Sequence, residues 1–299
     1  MNIYITGGTG FIGSYVVKEL AGRGNKITVL ARNPKKSQGL TALPGVSVKK
    51  ADMHDFRALK KAIVKPGALI HVALCWGETG PDMIKNETLN SVKLIELAIR
   101  RGAKKIIFTS STAAAGIPEK NISEDDLRKP FDFYGATKGA VELFMSAYSS
   151  CYPKIKFNII RPGYTFGNPV VEGAPMQPDA RFRDIVKNAK RNKKIELIKN
   201  DGTQFLWAGD LAKVYCAVLS SNLNNEIFYG LGRNFATWEQ IAKWAVKYSK
   251  SKSKIKLIDK GWADKPHLYN VSKIKKYFGL SFRSTEKIKE HIRYLISAV

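Results

Sequence analysis

One stretch near the start of the chain decides its fold: Gly7-Gly8-Thr9-Gly10-Phe11-Ile12-Gly13. It follows the apolar run Asn2–Thr6, which predicts a buried strand, and it opens the amphipathic segment Phe11–Gly22, which predicts a helix. Such a turn needs glycine where the chain reverses, where a phosphate approaches the backbone and where the helix packs on the sheet. The N–H groups at the start of the helix then face an anion. This context predicts a dinucleotide site contacted by Gly7, Thr9, Gly10, Phe11, Ile12 and Gly13.

The first half of the chain alternates short apolar runs with amphipathic stretches, which is typical of βαβ units around a parallel sheet. The further strands predicted there are Lys26–Leu30, Val46–Lys50, Ala68–Ala73, Lys105–Thr109 and Phe157–Arg161. The helices predicted between them are Phe56–Val64, Leu89–Arg101 and Gly135–Ser150. We therefore expect an α/β fold with a Rossmann-type, doubly wound parallel sheet.

The character of the sequence changes after Pro162, where residues 163–180 are rich in glycine and proline and predict a loop. Beyond it the patterns predict helices at Arg181–Arg191, Asp210–Ser221, Thr237–Tyr248, Val271–Tyr277 and Thr285–Ile296, and strands at Lys194–Lys199 and Ile227–Leu231. We expect a dinucleotide-binding domain over residues 1–163, to which residues 194–227 return. Residues 164–193 and 228–299 then form a small C-terminal α/β substrate-binding domain.

The chain is strongly basic, with 50 Lys and Arg against 25 Asp and Glu, a formal charge of +25. Such a field favours anionic partners, including phosphorylated ligands, nucleic acid and anionic lipid. The cations are mostly scattered lysines without interleaved aromatic residues, and no nucleic-acid-binding motif occurs. A solvated lysine-rich surface is the favoured interpretation, and contact with a polyanion is the alternative.

Several classes of protein are disfavoured by simple counts. No run of 18 apolar residues predicts a membrane span, and the first residues do not read as a secretory signal. The three cysteines, Cys75, Cys151 and Cys216, are far apart and form no metal-binding cluster. These features predict a cytoplasmic protein in a reducing compartment, without a metal site.

The residues after the second predicted strand bear on the choice of cofactor. An NAD site commonly places a carboxylate there for the ribose 2′-hydroxyl, but this chain reads Leu30-Ala31-Arg32-Asn33. The guanidinium of Arg32 suits a 2′-phosphate, and Lys35 and Lys36 follow it. The alternative is that Arg32 is an ordinary surface residue. We expect NADP to be preferred, with NAD possible.

A serine, a tyrosine and a lysine follow in an order that suits proton transfer. Ser111 lies just after the strand Lys105–Thr109, and Tyr134 and Lys138 share one face of the next predicted helix. When a hydride leaves a carbinol carbon, a base must take the hydroxyl proton, and an ammonium group nearby stabilises a phenolate base. A serine hydroxyl can orient the substrate oxygen. We expect Ser111, Tyr134 and Lys138 to be catalytic, with Lys138 also holding the nicotinamide ribose.

Taken together, these motifs resemble those of the NAD-dependent epimerase/dehydratase family, the extended short-chain dehydrogenase/reductases. The similarity runs along nearly the whole chain, from the glycine turn through Arg161-Pro162-Gly163 and Trp207-Ala208-Gly209-Asp210 to Val271-Ser272-Lys273. The resemblance implies that Asp52 and Met53 border the adenine, that Ala73 and Pro162 line the cofactor, and that Ser111, Tyr134 and Lys138 react. It also implies a homodimer formed through the two helices that flank the active-site strand.

Some positions depart from that family's pattern. Tyr164 stands where many nucleotide-sugar members carry asparagine, and Glu87 opens the segment that usually reads Asn-Val-x-Gly-Thr. Both departures weaken a nucleotide-diphosphate sugar as the substrate. Trp76 either covers the nicotinamide or substrate or packs a loop. Tyr164, Arg181 and Trp76, together with Ser111, are the candidate substrate contacts.

The leading hypothesis is an NAD(P)-dependent enzyme that acts by hydride transfer at a secondary alcohol or ketone of a small molecule. The transfer either consumes cofactor, as in a reductase, or is reversed within an epimerase or dehydratase cycle. Two alternatives remain open: a non-catalytic regulatory protein that binds NADP(H), and a basic protein associated with nucleic acid, which the missing motifs disfavour.

Overall fold

The structure is a computed structural model that describes residues 1–298, apart from the side chain of Lys36. Its strands, in chain order β1 to β13, are Asn2–Thr6, Lys26–Ala31, Val46–Lys50, Ala68–His71, Lys105–Thr109, Lys156–Pro162, Thr165–Phe166, Ile195–Ile198, Gly202–Thr203, Leu206–Trp207, Glu226–Gly230, Ala236–Thr237 and Ile255–Ile258. Its α-helices, α1 to α12, are Phe11–Ala21, Gln38–Thr41, Phe56–Ala62, Gly80–Met83, Asn90–Arg100, Thr112–Ala115, Phe133–Cys151, Arg181–Lys190, Ala208–Ser220, Trp238–Tyr248, Ser272–Phe278 and Thr285–Ala298. A 3₁₀ turn covers Pro34–Ser37, and a π-helical turn, Ile84–Leu89, leads into α5.

Seven parallel strands form the central sheet, in the order β11-β6-β5-β4-β1-β2-β3. The order reverses between β1 and β4, and ligands of such sheets bind at the carboxyl ends of the strands beside this switch point. The glycine turn follows β1, and Ala73 lies just beyond β4, so both occupy this place. The predicted fold class, a Rossmann-type doubly wound α/β sheet, is confirmed.

Helices cover both faces of the central sheet. On one face α1 and α9 pack together over Ile5 and Val29. On the other face α5 and α7 pack over Tyr4 and Phe108. Because successive strand residues point to opposite faces and both faces are buried, the strands read as continuous apolar runs. This explains why their bounds were close to those predicted.

The second half of the chain divides differently from the prediction. Strand β8, expected to return to the dinucleotide-binding domain, instead pairs in parallel with β13, a strand that the sequence analysis did not predict. Conversely, β11 extends the central sheet, so residues 228–230 belong with it. An apolar run predicts a strand but not its partner, and here the partner is 60 residues away. Helix α9 packs on α1.

The smaller C-terminal part has its own core, in which α8, α10 and α12 pack around an aromatic cluster. The bounds of two elements also differ from those predicted, one at its start and one at its end. Helix α7 begins at Phe133 because Asp132 caps it, with Oδ1 accepting from the Gly135 N–H at 2.6 Å. Strand β4 ends at His71, so Ala73 lies in the loop that faces the glycine turn. Within residues 1–298, no helix is both long enough and apolar enough to cross a membrane.

Candidate active site

The turn between β1 and α1 leaves no space for a side chain at Gly7 or at Gly13. Gly7 has a positive φ of 68°, and a Cβ atom there would lie 2.6 Å from the Ala73 backbone nitrogen. A Cβ atom at Gly13 would lie 2.1 Å from the Gly7 carbonyl oxygen. Gly10 precedes α1 and, being glycine, cannot cap the first N–H groups of the helix with a side chain. The turn therefore presents open backbone and helix N–H groups to a ligand anion.

The residues expected around the rest of the cofactor lie along the same edge of the sheet. Arg32 follows β2 and is exposed, while Asp52 and Met53 follow β3 and are half-buried. Partial burial raises the pKa of Asp52, but hydrogen bonds from His54 and the charge of Arg32 lower it by more, so the net pKa lies below its usual value. A cation and a carboxylate thus stand together where the resemblance places the adenosine.

The starts of α6 and α7 bring the expected catalytic serine and tyrosine into one region. Ser111 caps α6, and its Oγ accepts from the Ala113 N–H at 3.1 Å. Tyr134 is the second residue of α7, and a Cβ atom at the next residue, Gly135, would lie 2.3 Å from the Ala113 carbonyl oxygen. The two helix starts therefore touch, and Ser111 and Tyr134 flank that contact.

Lys138 lies one turn further along α7 and is almost fully buried, with 2% of its side chain exposed. Its Nζ lies 2.5 Å from Oε1 of Glu87, which is 1% exposed. The other Glu87 oxygen accepts from the Cys75 N–H at 2.7 Å. The ammonium also lies 4.9 Å from the centre of the Phe108 ring and 5.8 Å from that of Tyr134. Lys138 therefore lies beside the tyrosine ring, and the buried carboxylate of Glu87 balances its charge.

A chain of buried polar groups supports the loop after β4. Thr6 Oγ1 and Nδ1 of His71 are 2.7 Å apart, and Nε2 of His71 lies 2.9 Å from Ser91 Oγ. Thr6 Oγ1 also accepts from the Ala73 N–H at 3.3 Å. Burial, and then the charge of Lys138, lower the pKa of His71 to about 3. His71 is therefore neutral near pH 7 and serves to join β1, β4 and α5.

A buried ionic cluster joins α7 to the sheet next to Ser110. Glu142 accepts from Nε and Nη2 of Arg161 at 2.8 and 2.7 Å, and from Nε of Arg128 at 2.6 Å. It also accepts from the Ser110 hydroxyl at 2.5 Å. Because Ser110 immediately precedes Ser111, this cluster fixes the end of β5 against α7.

The three remaining substrate candidates fall in two places. Trp76 is exposed, and its ring centre lies 6.2 Å from that of Tyr134. Tyr164 packs instead into the C-terminal core, with its ring centre 4.9 Å from that of Phe205. The guanidinium carbon of Arg181 lies 4.7 Å from the centre of the Trp238 ring. The structure thus groups Trp76 with the tyrosine, and gives Tyr164 and Arg181 packing partners in the smaller part.

The Tyr164 hydroxyl is buried and has no hydrogen-bond partner within the described residues. Burial, with the nearby Asp179 carboxylate, raises its pKa. Arg181 donates from Nη1 to Oδ2 of Asp201 at 3.1 Å. Their role as substrate contacts stays a prediction.

The pairing of Glu87 with Lys138 was not predicted from the sequence, in which Glu87 stands only as a departure from the family's usual pattern. The available signal was the helical spacing that puts the acid Glu87 on one face with Met83 and Leu94, both of which are buried. Only the packing of α7 against this turn shows that its counter-ion is Lys138.

The residues present fit a nicotinamide dinucleotide. The glycine turn forms a cradle that Cβ atoms would fill, and uncapped N–H groups of α1 point from it. Such a cradle suits a pyrophosphate, and the loop with Ala73 runs from it toward Tyr134 and Lys138.

Comparison with known proteins identifies the family. The model of the NAD dependent epimerase/dehydratase family matches residues 3–229. UDP-glucose 4-epimerase of Lacticaseibacillus casei is 31% identical over 169 residues, which make up 54% of this chain and 50% of that protein. UDP-N-acetyl-alpha-D-glucosaminuronate decarboxylase of Bacillus cytotoxicus is 25% identical over 276 residues, 84% of this chain and 81% of that protein. The chain spans about half the length of the first curated relatives it matches.

Solved structures share the whole fold. UDP-glucuronic acid 4-epimerase from Bacillus cereus in complex with NAD superposes with a TM-score of 0.85 at 20% identity, covering 100% of this chain and 99% of that one. Because the family model covers well over half of the residues, this chain belongs to the NAD-dependent epimerase/dehydratase family.

Proposed function

We propose that this protein transfers hydride between a nicotinamide cofactor and a secondary alcohol or ketone, using Ser111, Tyr134 and Lys138. The observation that supports the proposal is the contact between Gly135 of α7 and Ala113 of α6. Tyr134 directly precedes Gly135, Ser111 lies two residues before Ala113, and Lys138 follows one turn further along α7. These groups lie at the carboxyl ends of the strands, the edge that the glycine turn also occupies.

Each side chain has a distinct task in this proposal. Bound nicotinamide supplies the centre that accepts or donates hydride. The Tyr134 hydroxyl moves the proton to or from the substrate oxygen. Ser111 Oγ accepts from the Ala113 N–H, which leaves its own proton to donate to that oxygen. Lys138 retains two ammonium protons beyond its bond to Glu87, and these suit the ribose hydroxyls.

The preference for NADP belongs to the proposal as well. Arg32 is exposed at the end of β2, with no acid at that place in the sequence. A guanidinium there suits a 2′-phosphate better than a 2′-hydroxyl. The structures that resemble this chain include complexes with NAD, so NAD is the alternative to test.

We propose a nucleotide-linked sugar as the first substrate class to test. The names of several relatives specify UDP-sugars, and a +25 chain favours a diphosphate ligand. The experiment incubates the enzyme with NADP⁺ or NAD⁺ and a panel of UDP-sugars, following both NAD(P)H absorbance and the sugar product. A changed sugar without net NAD(P)H indicates an epimerase, and stoichiometric NAD(P)H indicates a dehydrogenase. If no UDP-sugar reacts but simple ketones consume NADPH, the sugar assignment is wrong.

We also propose a homodimer formed through the outer faces of α5 and α7. The exposed side chains there are unusually apolar: Leu143 is 60% exposed and Phe144 is 46% exposed. Leu89, before α5, and Tyr152, after α7, are exposed as well. A second copy, related by a twofold axis, would bury this surface against itself.

A further inference from the structure

The buried pair of Glu87 and Lys138 needs an explanation beyond stability. Both side chains are at least 98% buried, and their charged atoms are 2.5 Å apart. A buried ion pair is often no more stabilising than apolar packing, because both charges lose their hydration. Lys138 has a proposed reason to be charged, but Glu87 touches no proposed substrate contact.

Two contacts fix the carboxylate of Glu87 in one orientation. Oε1 accepts from Lys138 on α7, and Oε2 accepts from the Cys75 N–H in the loop after β4. Glu87 itself lies in the π-helical turn that precedes α5. It therefore ties together the loop expected to line the nicotinamide and the lysine expected to bind the ribose.

Two other titratable groups that face this pair are uncharged near pH 7. His71 on β4 is neutral, because burial lowers its pKa to about 3. Cys75 is a thiol, because burial and then the charge of Glu87 raise its pKa to about 11. Tyr134 on α7 is the remaining group, and its ring centre lies 5.8 Å from the ammonium. Glu87 is thus the charged group that pairs with the Lys138 ammonium beside the tyrosine ring.

We propose that Glu87 is a positioning residue for Lys138, which holds the ammonium between the ribose site and Tyr134 and partly cancels its charge. This inference rests on the proposed function of Tyr134 and Lys138. If Glu87 becomes neutral, the full charge of Lys138 acts on Tyr134. A nearby positive charge stabilises a phenolate, so the tyrosine loses its proton at lower pH.

The test compares the pH dependence of kcat for the parent enzyme, Glu87→Gln, Glu87→Asp and a matched control, Glu96→Gln. Glu96 lies on α5 and is half-buried, with partners Arg100 and Tyr148, so Glu96→Gln removes one charge from the same helix without touching Lys138. For Glu87→Gln we expect the acidic limb of the kcat–pH profile to move to lower pH by about one unit, and the maximal kcat to fall. Glu87→Asp, which keeps the charge, should return the limb toward that of the parent, and Glu96→Gln should not move it.

A second readout needs neither cofactor nor turnover. Tyrosine ionisation is followed by NMR in protein labelled with ¹³Cζ-tyrosine, and the Tyr134 signal is assigned by its loss in Tyr134→Phe. Glu87→Gln should shift the midpoint of that signal to lower pH in the cofactor-free protein. A purely structural role would lower the melting temperature but leave this midpoint and the kcat profile in place, and that result overturns the inference.

The two proposals fail in different ways. If Tyr134→Phe keeps full turnover, the proposed function of the tyrosine is wrong. If Tyr134→Phe is inactive but Glu87→Gln leaves both the limb and the NMR midpoint unchanged, only the role of Glu87 is wrong. The double variant Glu87→Gln/Lys138→Met should melt closer to the parent than Glu87→Gln does, because the buried ammonium is then gone.

Discussion

The backbone of Gly13 lies so close to Gly7 that a Cβ atom on residue 13 would come within 2.1 Å of the Gly7 carbonyl oxygen. Gly13→Ala must therefore push α1 away from the turn, which displaces the N–H groups that would bind a pyrophosphate. We expect NADPH affinity, measured by calorimetry, to fall at least about tenfold, or about 1.4 kcal/mol. Gly22→Ala is the control, since a Cβ atom there meets its nearest atom at 3.5 Å. Equal affinity for both variants would contradict the phosphate role of the turn.

Tyr134→Phe removes only the hydroxyl, and the ring keeps its contacts with Trp76 and Lys138. We expect cofactor affinity to stay within about twofold, while kcat falls by about 10²–10⁴, the usual contribution of general acid–base catalysis. Steady-state kinetics checks the expected loss of kcat, and calorimetry on the same preparation checks the cofactor affinity. Turnover near that of the parent would remove Tyr134 from the proton-transfer step.

Arg32→Ala separates the two cofactors. If the guanidinium pairs with a 2′-phosphate, its loss should weaken NADPH by about 1–3 kcal/mol and leave NADH nearly unchanged. Lys35→Ala, a nearby loss of the same charge, is the control for a general effect of the positive field. Equal losses for NADPH and NADH after Arg32→Ala would show that Arg32 does not select NADP.

Glu142 should make stability depend on pH in a defined window. Burial raises its pKa, but Arg161 and its other partners lower it by more, so the folded pKa lies below the unfolded value of about 4.5. A group of this kind stabilises the fold fully above pH 4.5 and loses that contribution as pH falls through the lower, folded value.

Glu142→Gln leaves Arg161 buried without its charge partner, which should cost about 3–5 kcal/mol near pH 7. Urea unfolding followed by circular dichroism gives the free energy of unfolding of both proteins. The difference between the parent and Glu142→Gln should become smaller below pH 4.5. Glu119→Gln, which breaks the exposed pair with Lys129, should cost no more than about 1 kcal/mol. If the difference in unfolding free energy between the parent and Glu142→Gln stays constant down to pH 3, the role of this cluster is contradicted.

Phe144→Lys tests the proposed dimer. The side chain is 46% exposed on α7, so a lysine should be tolerated by an isolated chain but not at an apolar interface between two copies. Light scattering after size exclusion should show a dimer for the parent and a monomer for Phe144→Lys, with similar melting of the monomeric fold. A parent protein that is monomeric at high concentration, or a variant that remains dimeric, would place the interface elsewhere.

Local patterns were sufficient for much of the cofactor-binding half. The glycines of the turn mark a backbone that excludes Cβ atoms, and Gly7 and Gly13 do so in the structure. The apolar runs of β1, β2 and β5 predicted buried strands, because strands covered on both faces need apolar residues throughout. Tyr134 and Lys138 are four residues apart on one helix, so their shared face followed from the sequence alone.

Long-range pairing lay beyond such patterns. Strand β8 was expected near the central sheet but pairs with β13, since an apolar strand does not encode which edge it meets. Tyr164 was considered for substrate contact because of its place after Arg161 and Pro162. Its ring lies among Phe182, Phe205 and Trp238, which are brought together from three separate segments.

The sequence by itself determined the fold class, the glycine turn, and the order of the serine, tyrosine and lysine. Each depends on neighbours within a few residues, where the spacing fixes the geometry. Only the tertiary structure decided that Lys138 faces Glu87, 51 positions earlier, and that Glu142 holds Arg161 beneath the serine. The energy of a charge depends on what surrounds it once water is excluded, and for these buried groups the surroundings come from distant segments of the chain.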